Sequence, residues 1–483
     1  MRRLILGTVV ACIACSGGTS APHLARIAPI QSELTRDEQI AHALSRLSYG
    51  ARPGDIDLVR RVGLERWIAL QLTPERIKDP AGDSAVASYE SLATPTNELT
   101  AAFREVRMAR RDTTRRGEPA IMQSRRDLQM AVNEVGSAKL ARAVVSERQL
   151  YEQMVDFWEN HFSVFVGKGQ TRLFIPSYDR DVIRPLALGR FRDLLGAVAQ
   201  SPAMLFYLDN AQSGADSTHR TLAELGRSSR RPFAGRRRPG LNENYARELM
   251  ELHTLGVDGG YTQQDVIEVA RALTGWSIDQ AAGAFVFRPA IHDADEKMVL
   301  GSRLEAGRGI EDGEQVLDIL ARHPSTARFI TRKLAVRFVS DSAPPELVSR
   351  CAAVFTKTDG DIRQVVQCVV TSPEFFSKRA YRAKVKTPFE VVASALRAAE
   401  ATPDGSPRAT QIVARLGQPI FGRQTPDGWP DRAEEWVNAG AMVNRVNFGL
   451  SLAQGRAPGV RLKQASLDKS VASLLSSPEF QRR

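Results

Sequence analysis

Residues Gly240–Trp276, GLNENYARELMELHTLGVDGGYTQQDVIEVARALTGW, read as two helices joined by a glycine turn, and they set the fold class of the whole chain. Asn242 is placed to cap a helix starting at Glu243, because its side-chain oxygen can accept from a free backbone N–H. Glu243 then lies in the first turn, where the helix dipole favours negative charge. Tyr245, Leu249, Leu252 and Leu255 recur at helical spacing, which predicts a buried face. Gly256 suits a C-cap, and Gly259-Gly260 make the turn. Thr262 and Asp265 form the pattern of a capping box. Val266, Val269, Ala270 and Leu273 give the second helix its apolar face, and Gly275 ends it.

The first of these helices carries candidate chemistry. Glu248 and Glu251 are three residues apart, so they are neighbours on the helix surface and read as a catalytic carboxylate pair. The competing reading is ion pairing, since Arg247 lies one turn from both Glu243 and Glu251. His253 follows Ala246, Leu249 and Met250 on an apolar face. The chain has no H-E-x-x-H zinc motif. The Glu-x-x-His pattern of di-iron bundles also fails, because Met250 stands three residues before His253.

Helical periodicity continues on both sides of this unit, from Arg36–Leu47 through Glu98–Arg111, Leu128–Val135, Glu147–Phe162 and Pro373–Ser377 to Asp468–Leu475. No alternating strand pattern stands out. The fold class expected is all-α: a single large multi-helix domain over residues 22–483 with about twenty short helices. Near the C-terminus, Ile412 to Trp436 is rich in Gly, Pro and Trp. It reads as an ordered, extended segment wrapping the helices, anchored by Trp429 and Trp436. A Ser-Pro step recurs in VAQSPAM, VVTSPEF and LLSSPEF, where serine can cap a helix and proline can open it.

The composition, 43% hydrophobic and 25% charged, is that of a soluble globular protein. The net charge of +11 is concentrated locally. Arg104 to Arg126 holds eight arginines, and Arg220 to Arg238 holds seven against the single acid Glu224. Flexible basic loops are therefore expected near residues 110–126 and 211–239, with an anionic surface as the partner they suit. At the N-terminus, Arg2 and Arg3 precede a short apolar run, Leu4 to Ala14, and then small residues. This reads as a signal peptide over residues 1–21, too short to span a bilayer. Cys12 to Cys15, CIAC, also resembles a lipoprotein signal ending before a lipidated Cys15. Both processing routes lead out of the cytoplasm, to the periplasm, the outer-membrane surface or the medium, and nucleic acid is not an expected partner. Cys351 and Cys368 sit on two helices joined by a short turn. A disulfide between them suits an oxidising compartment, with two buried thiols as the other reading.

Several blocks together resemble the bacterial domain-of-unknown-function 1800 family: His42 to Ile56, Met154 to Val164, Tyr178 to Leu195, Pro202 to Asn210, Gly240 to Trp276, His292 to Gly301, Lys384 to Val392 and the GQPIF…GWP segment. The matches are colinear and cover nearly all of the chain after the signal region. The resemblance implies an exported, largely helical bacterial protein. It also implies, as a neighbour and possible partner, an exported family similar to alkaline phosphatases, domain-of-unknown-function 1501. It lends no activity and no catalytic residues.

Two functional readings follow. One is an accessory protein acting beside that phosphatase-like partner. The other is an enzyme dependent on a divalent transition metal. His161 follows Leu150, Met154 and Trp158 on the apolar side of its helix, while Glu152, Asp156 and Glu159 lie elsewhere. His292 and Asp293 begin a polar loop. His161, His253, His292 and Asp293 are the residue types that bind zinc, iron or copper, provided they converge.

Overall fold

The computed structural model describes residues 24–112, 117–225, 240–464, 467 and 469–483. Within them, twenty-one α-helices follow one another from Arg36 to Leu475, with three short two-stranded antiparallel ribbons. The all-α class stands. The ribbons pair Trp276–Asp279 with Ala284–Phe287, Lys297–Val299 with Ser302–Leu304, and Thr402–Pro403 with Val460–Arg461. They were invisible in the sequence because strands of two to four residues are too short to show a period.

The caps behave as the sequence dictates. Asn242 accepts from the N–H groups of Asn244 and Tyr245 to start helix Glu243–Glu251. Thr262 and Asp265 close a capping box on helix Gln263–Ala272, and Thr387 with Glu390 closes another on helix Pro388–Ala398. Ser201 caps helix Pro202–Tyr207. At Ser372 and Ser477 the serine oxygen accepts from Phe375 and Phe480, but only turns follow, so the helix expected over Pro373–Ser377 does not form.

The basic loop expected near 110–126 is corrected. Helix Thr96–Arg111 packs against helix Pro119–Val145, a 27-residue helix opened by Pro119. Only residues 112–118 lie between them, and 113–116 fall outside the described residues. Arg125 and Arg126 are therefore helical. Of the second basic loop, residues 226–239 fall outside the described residues, as does the whole signal region with Cys15.

Two large apolar cores organise the described residues, beside a small third cluster of Tyr89, Ala138 and Ala141. The larger gathers Leu44, Trp67, Trp158, Phe174, Leu249, Trp276 and Val366 among many others. The smaller, built from Leu140, Phe389, Leu396, Val413 and Leu452, lies under the C-terminal helices. Cys351 on helix Pro345–Lys357 and Cys368 on helix Ile362–Val370 form a disulfide, their Cα atoms 5.8 Å apart. Among the described residues no helix is long and apolar enough to cross a membrane.

Candidate functional site

Helix Gln149–His161, QLYEQMVDFWENH, is buried nearly all round rather than along one apolar stripe. Its acids were expected to lie away from the core. Instead Glu152 and Glu159 are buried and Asp156 is mostly so. Carboxylates go inside only when cations meet them, and here the cations arrive from distant parts of the chain. Lys139, on the long helix, places its Nζ 2.8 Å from Asp156 Oδ1 and 2.5 Å from Glu159 Oε2. Arg337, at the end of helix Pro324–Phe338, lies 2.8 Å from Asp156, 3.1 Å from Asp431 and 3.4 Å from Glu390. Arg483 pairs with Glu390 at 2.9 Å.

On the far side of Glu159 stands Asp179. It belongs to a π-helical turn, Tyr178–Ile183, squeezed between Pro176 and Pro185. Such turns often mark functional positions. Here the turn brings residues five apart together: Arg184 Nε donates to both Asp179 oxygens at 3.0 Å, and the same guanidinium grips Glu152 at 3.0 and 2.9 Å.

The result is a continuous ribbon of buried charge. From Asp431 it runs through Arg337, Asp156 and Lys139 to Glu159, then through Asp179 and Arg184 to Glu152. The sign alternates at every step but one. Glu159 and Asp179 are acid against acid: each carboxyl shifts the other, and Glu159 Oε1 is buried with no hydrogen-bond partner among the described residues. Two carboxyls in one buried site cannot both ionise cheaply, so one keeps its proton. Burial, opposed by Lys139 and reinforced by Asp179, pushes Glu159 up to about 8. Burial acts on Asp179 as well, but Arg184, Glu159 and Arg142 hold it below its ordinary value. Asp156 is likewise pushed up by burial and pulled down further by Lys139 and Arg337. Burial with Asp179 raises Glu159 while Arg184 lowers Asp179, which favours Glu159 as the protonated acid of the two.

The ribbon opens at the seam between the two cores, on a cleft of about 40 Å³ lined by Lys139, Asp156, Glu159, Arg337, Phe389 and Phe421 among others. A water needs roughly 10–15 Å³ by the same kind of measure, so this space suits a few waters or the polar head of a ligand. Aromatic rings close it: Lys139 Nζ lies 5.4 Å from the centroid of Phe389 and 5.8 Å from that of Phe421, a distance at which a cation is attracted to the ring. The Gly/Pro/Trp-rich segment forms the cover. Asn160 holds it through two 2.7 Å hydrogen bonds, donating to Trp429 O and accepting from Trp429 N. Gly428, at φ +75°, must be glycine here, since a Cβ would stand 2.2 Å from Asn160 O. Trp429 and Trp436 pack ring on ring at 5.9 Å.

The residues singled out from sequence are distributed as follows. His161 and His253 come together, ring centroids 6.3 Å apart, with His161 Nε2 3.1 Å from His253 O. Both are walled in by Phe162 and neighbouring aromatics. Burial and then the Lys333 charge hold His161 well below its ordinary pKa and His253 down to about 3, so both are neutral. His292 belongs to a different cluster: its Nδ1 lies 2.7 Å from Thr274 O and its Nε2 3.5 Å from Asp312. Asp293 is held by Arg271 at 2.8 and 3.2 Å. Among the described residues no group of three or more His, Cys, Asp or Glu side chains could hold a metal ion. Glu248 and Glu251 do interact: burial, then Glu251, raises the Glu248 carboxyl. Glu251 accepts from Tyr261 OH at 3.3 Å, and Arg247 reaches Glu243 at 3.8 Å. The pair lines none of the clefts described.

The fold and site thus define a large helical protein with a buried charge ribbon ending in a covered cleft. The model of the Protein of unknown function (DUF1800) family matches residues 42–482, and the chain belongs to that family. No curated protein and no solved structure matches it.

Proposed function

We propose that this is an exported protein that binds the oxygen-bearing polar head of a small ligand in the covered cleft and exchanges a proton with it. The observation that carries this reading is Glu159, buried in the cleft wall 2.5 Å from Lys139 Nζ with its other oxygen unpartnered on the side of Asp179. A fully paired ion network needs no such acid–acid pair, whereas a proton donor poised near neutral pH does. Lys139 and Arg337 supply fixed positive charge where negative charge would develop on a ligand oxygen. Glu159 supplies the proton, and Asp179, clamped by Arg184, sets its affinity. Export is supported by the charged, apolar and small-residue order of the N-terminus and by the Cys351–Cys368 disulfide, which suits an oxidising compartment.

Crystallographic fragment soaking tests the site without knowing the ligand. Carboxylate- and carbonyl-bearing fragments should collect against Lys139. Fragments that bind elsewhere and leave this cleft empty would contradict the reading.

An accessory role beside an alkaline-phosphatase-like partner is the second reading. It is favoured by the exposed Val443 and Leu450 on helix Ala439–Ala453, beside a groove of about 470 Å³ lined in part by Ile412, Leu416 and Phe448. Recovery of no specific partner from native membranes counts against it.

A further inference from the structure

Helix Thr96–Arg111 turns a second, separate surface to solvent. Arg104, Arg107 and Arg111 stand three and four residues apart, so they share one face over about 10 Å of helix. All three are exposed. No ion pair or hydrogen bond engages their guanidinium groups among the described residues, whereas Arg36, Arg184, Arg192 and Arg337 are all held by carboxylates. They line a groove of about 390 Å³ completed by Phe103, Gln170 and Gln280, with no carboxylate among the described residues of its walls. A fourth guanidinium, that of Arg172, lies 5.8 Å from the Phe103 ring centroid, and its Nε is buried without a partner. Asp279 feels the Arg104 charge, but its carboxylate is already engaged by the N–H groups of Ala281 and Ala282.

Unpaired like charges held side by side repel, so such a face is stabilised by a multivalent anion. Guanidinium is planar and offers two parallel N–H donors, a match for two oxygens of one phosphate. Successive arginines are separated by about one helical turn, roughly 5 Å along the axis, so their guanidinium groups can converge on one multivalent anion. Gln170 and Gln280 add neutral donors at the side. We infer that this groove binds the phosphate groups of an anionic ligand. Met108 at its rim is 60% exposed, which suits contact with the acyl boundary if the phosphate belongs to a lipid.

Calorimetric titration of the full mature chain with pyrophosphate at low salt, and flotation with phosphatidylcholine vesicles with and without phosphatidylglycerol, test this. The groove variant is R104Q/R107Q/R111Q. The charge-matched control is R303Q/R322Q/R432Q, three exposed arginines elsewhere. The groove variant should lose about tenfold or more in affinity while the control stays within about threefold, since each guanidinium–phosphate contact contributes on the order of a hydrogen bond to a charged group. Pyrophosphate binding without flotation assigns the site to a free phosphate ester. Flotation that requires phosphatidylglycerol and is competed by pyrophosphate assigns it to a lipid headgroup. Equal losses in both variants would show general charge attraction and overturn the site. So would wild-type protein that binds neither pyrophosphate nor the anionic vesicles.

Discussion

Lys139→Met should cost about 1–3 kcal/mol of folding stability, the penalty for leaving buried acceptors without their donor. The side chain is only 12% exposed, and it serves two acids, Asp156 and Glu159, which are 14% and 2% exposed. Asp156 keeps Arg337, and Glu159, already protonated, loses the donor on its Oε2 rather than a counter-charge. Because neutral replacements of a buried ion group are often tolerated, K139M/D156N/E159Q should recover much of the loss while abolishing proton exchange at the cleft. Urea unfolding of the three proteins measures this. A Lys139→Met loss below about 1 kcal/mol, the range of an exposed pair, would mean the ribbon is solvated and not a buried network.

The second large effect is acid lability between pH 6.5 and 4.5. His42, caught edge-on against Phe375 at 4.7 Å, has a pKa lowered to about 3 by burial and by Arg46, matching His253. His161 is lowered as well. For each, the unfolded chain takes up a proton near pH 6.5 that the folded chain refuses. The unfolded state therefore binds more protons, and stability falls as pH falls below 6.5. Glu159 acts in the opposite sense: its raised pKa gives stability that is full below about 4.5 and is lost as pH rises toward 8. Burial and the Arg328 charge lower His323 as well, and burial with Glu251 raises Glu248, so four imidazoles against two carboxyls leave a net difference of two protons, or about 2.7 kcal/mol per pH unit. Against a total stability of roughly 5–15 kcal/mol, this slope should unfold the protein within a few pH units of neutrality. H42F/H253F removes the whole net difference of two protons, so the slope between pH 6.5 and 4.5 should fall to near zero and the acid midpoint should move down by more than about one pH unit. A midpoint unmoved by that pair would show that the imidazoles are hydrated when folded.

What the sequence revealed was local. Asn242, Thr262 and Asp265 cap their helices as spacing demands, because a cap depends only on residues within one turn. Cys351 and Cys368 were legible because a short turn fixes how two helices face each other. The Trp429–Trp436 segment stood out by composition. The charge ribbon was not legible, since its pairs join Lys139 to Glu159 across twenty residues and Arg337 to Asp156 across 181. The acids of helix Gln149–His161 read as a solvated face because an apolar stripe sufficed to bury one side. Their spacing of four and three, at Glu152, Asp156 and Glu159, was the available signal: three acids along one face of a helix that also carries Phe157 and Trp158. His161 and His253 lie side by side among aromatic rings, whereas His292 lies in another cluster with Thr274 and Asp312, a separation set by contacts between distant parts of the chain that no local spacing encodes.

The account rests on one proton. Selective ¹³C labelling of glutamate carboxyls, with the Glu159 resonance assigned by its loss in Glu159→Gln, reads that proton by NMR across pH 3–10. The account predicts a Glu159 titration midpoint near 8, shifted toward ordinary values in Asp179→Asn, which removes the opposing acid. A midpoint close to the ordinary 4.5 would mean that Glu159 is a plain carboxylate paired with Lys139, and the proton-exchange reading of the cleft would fail.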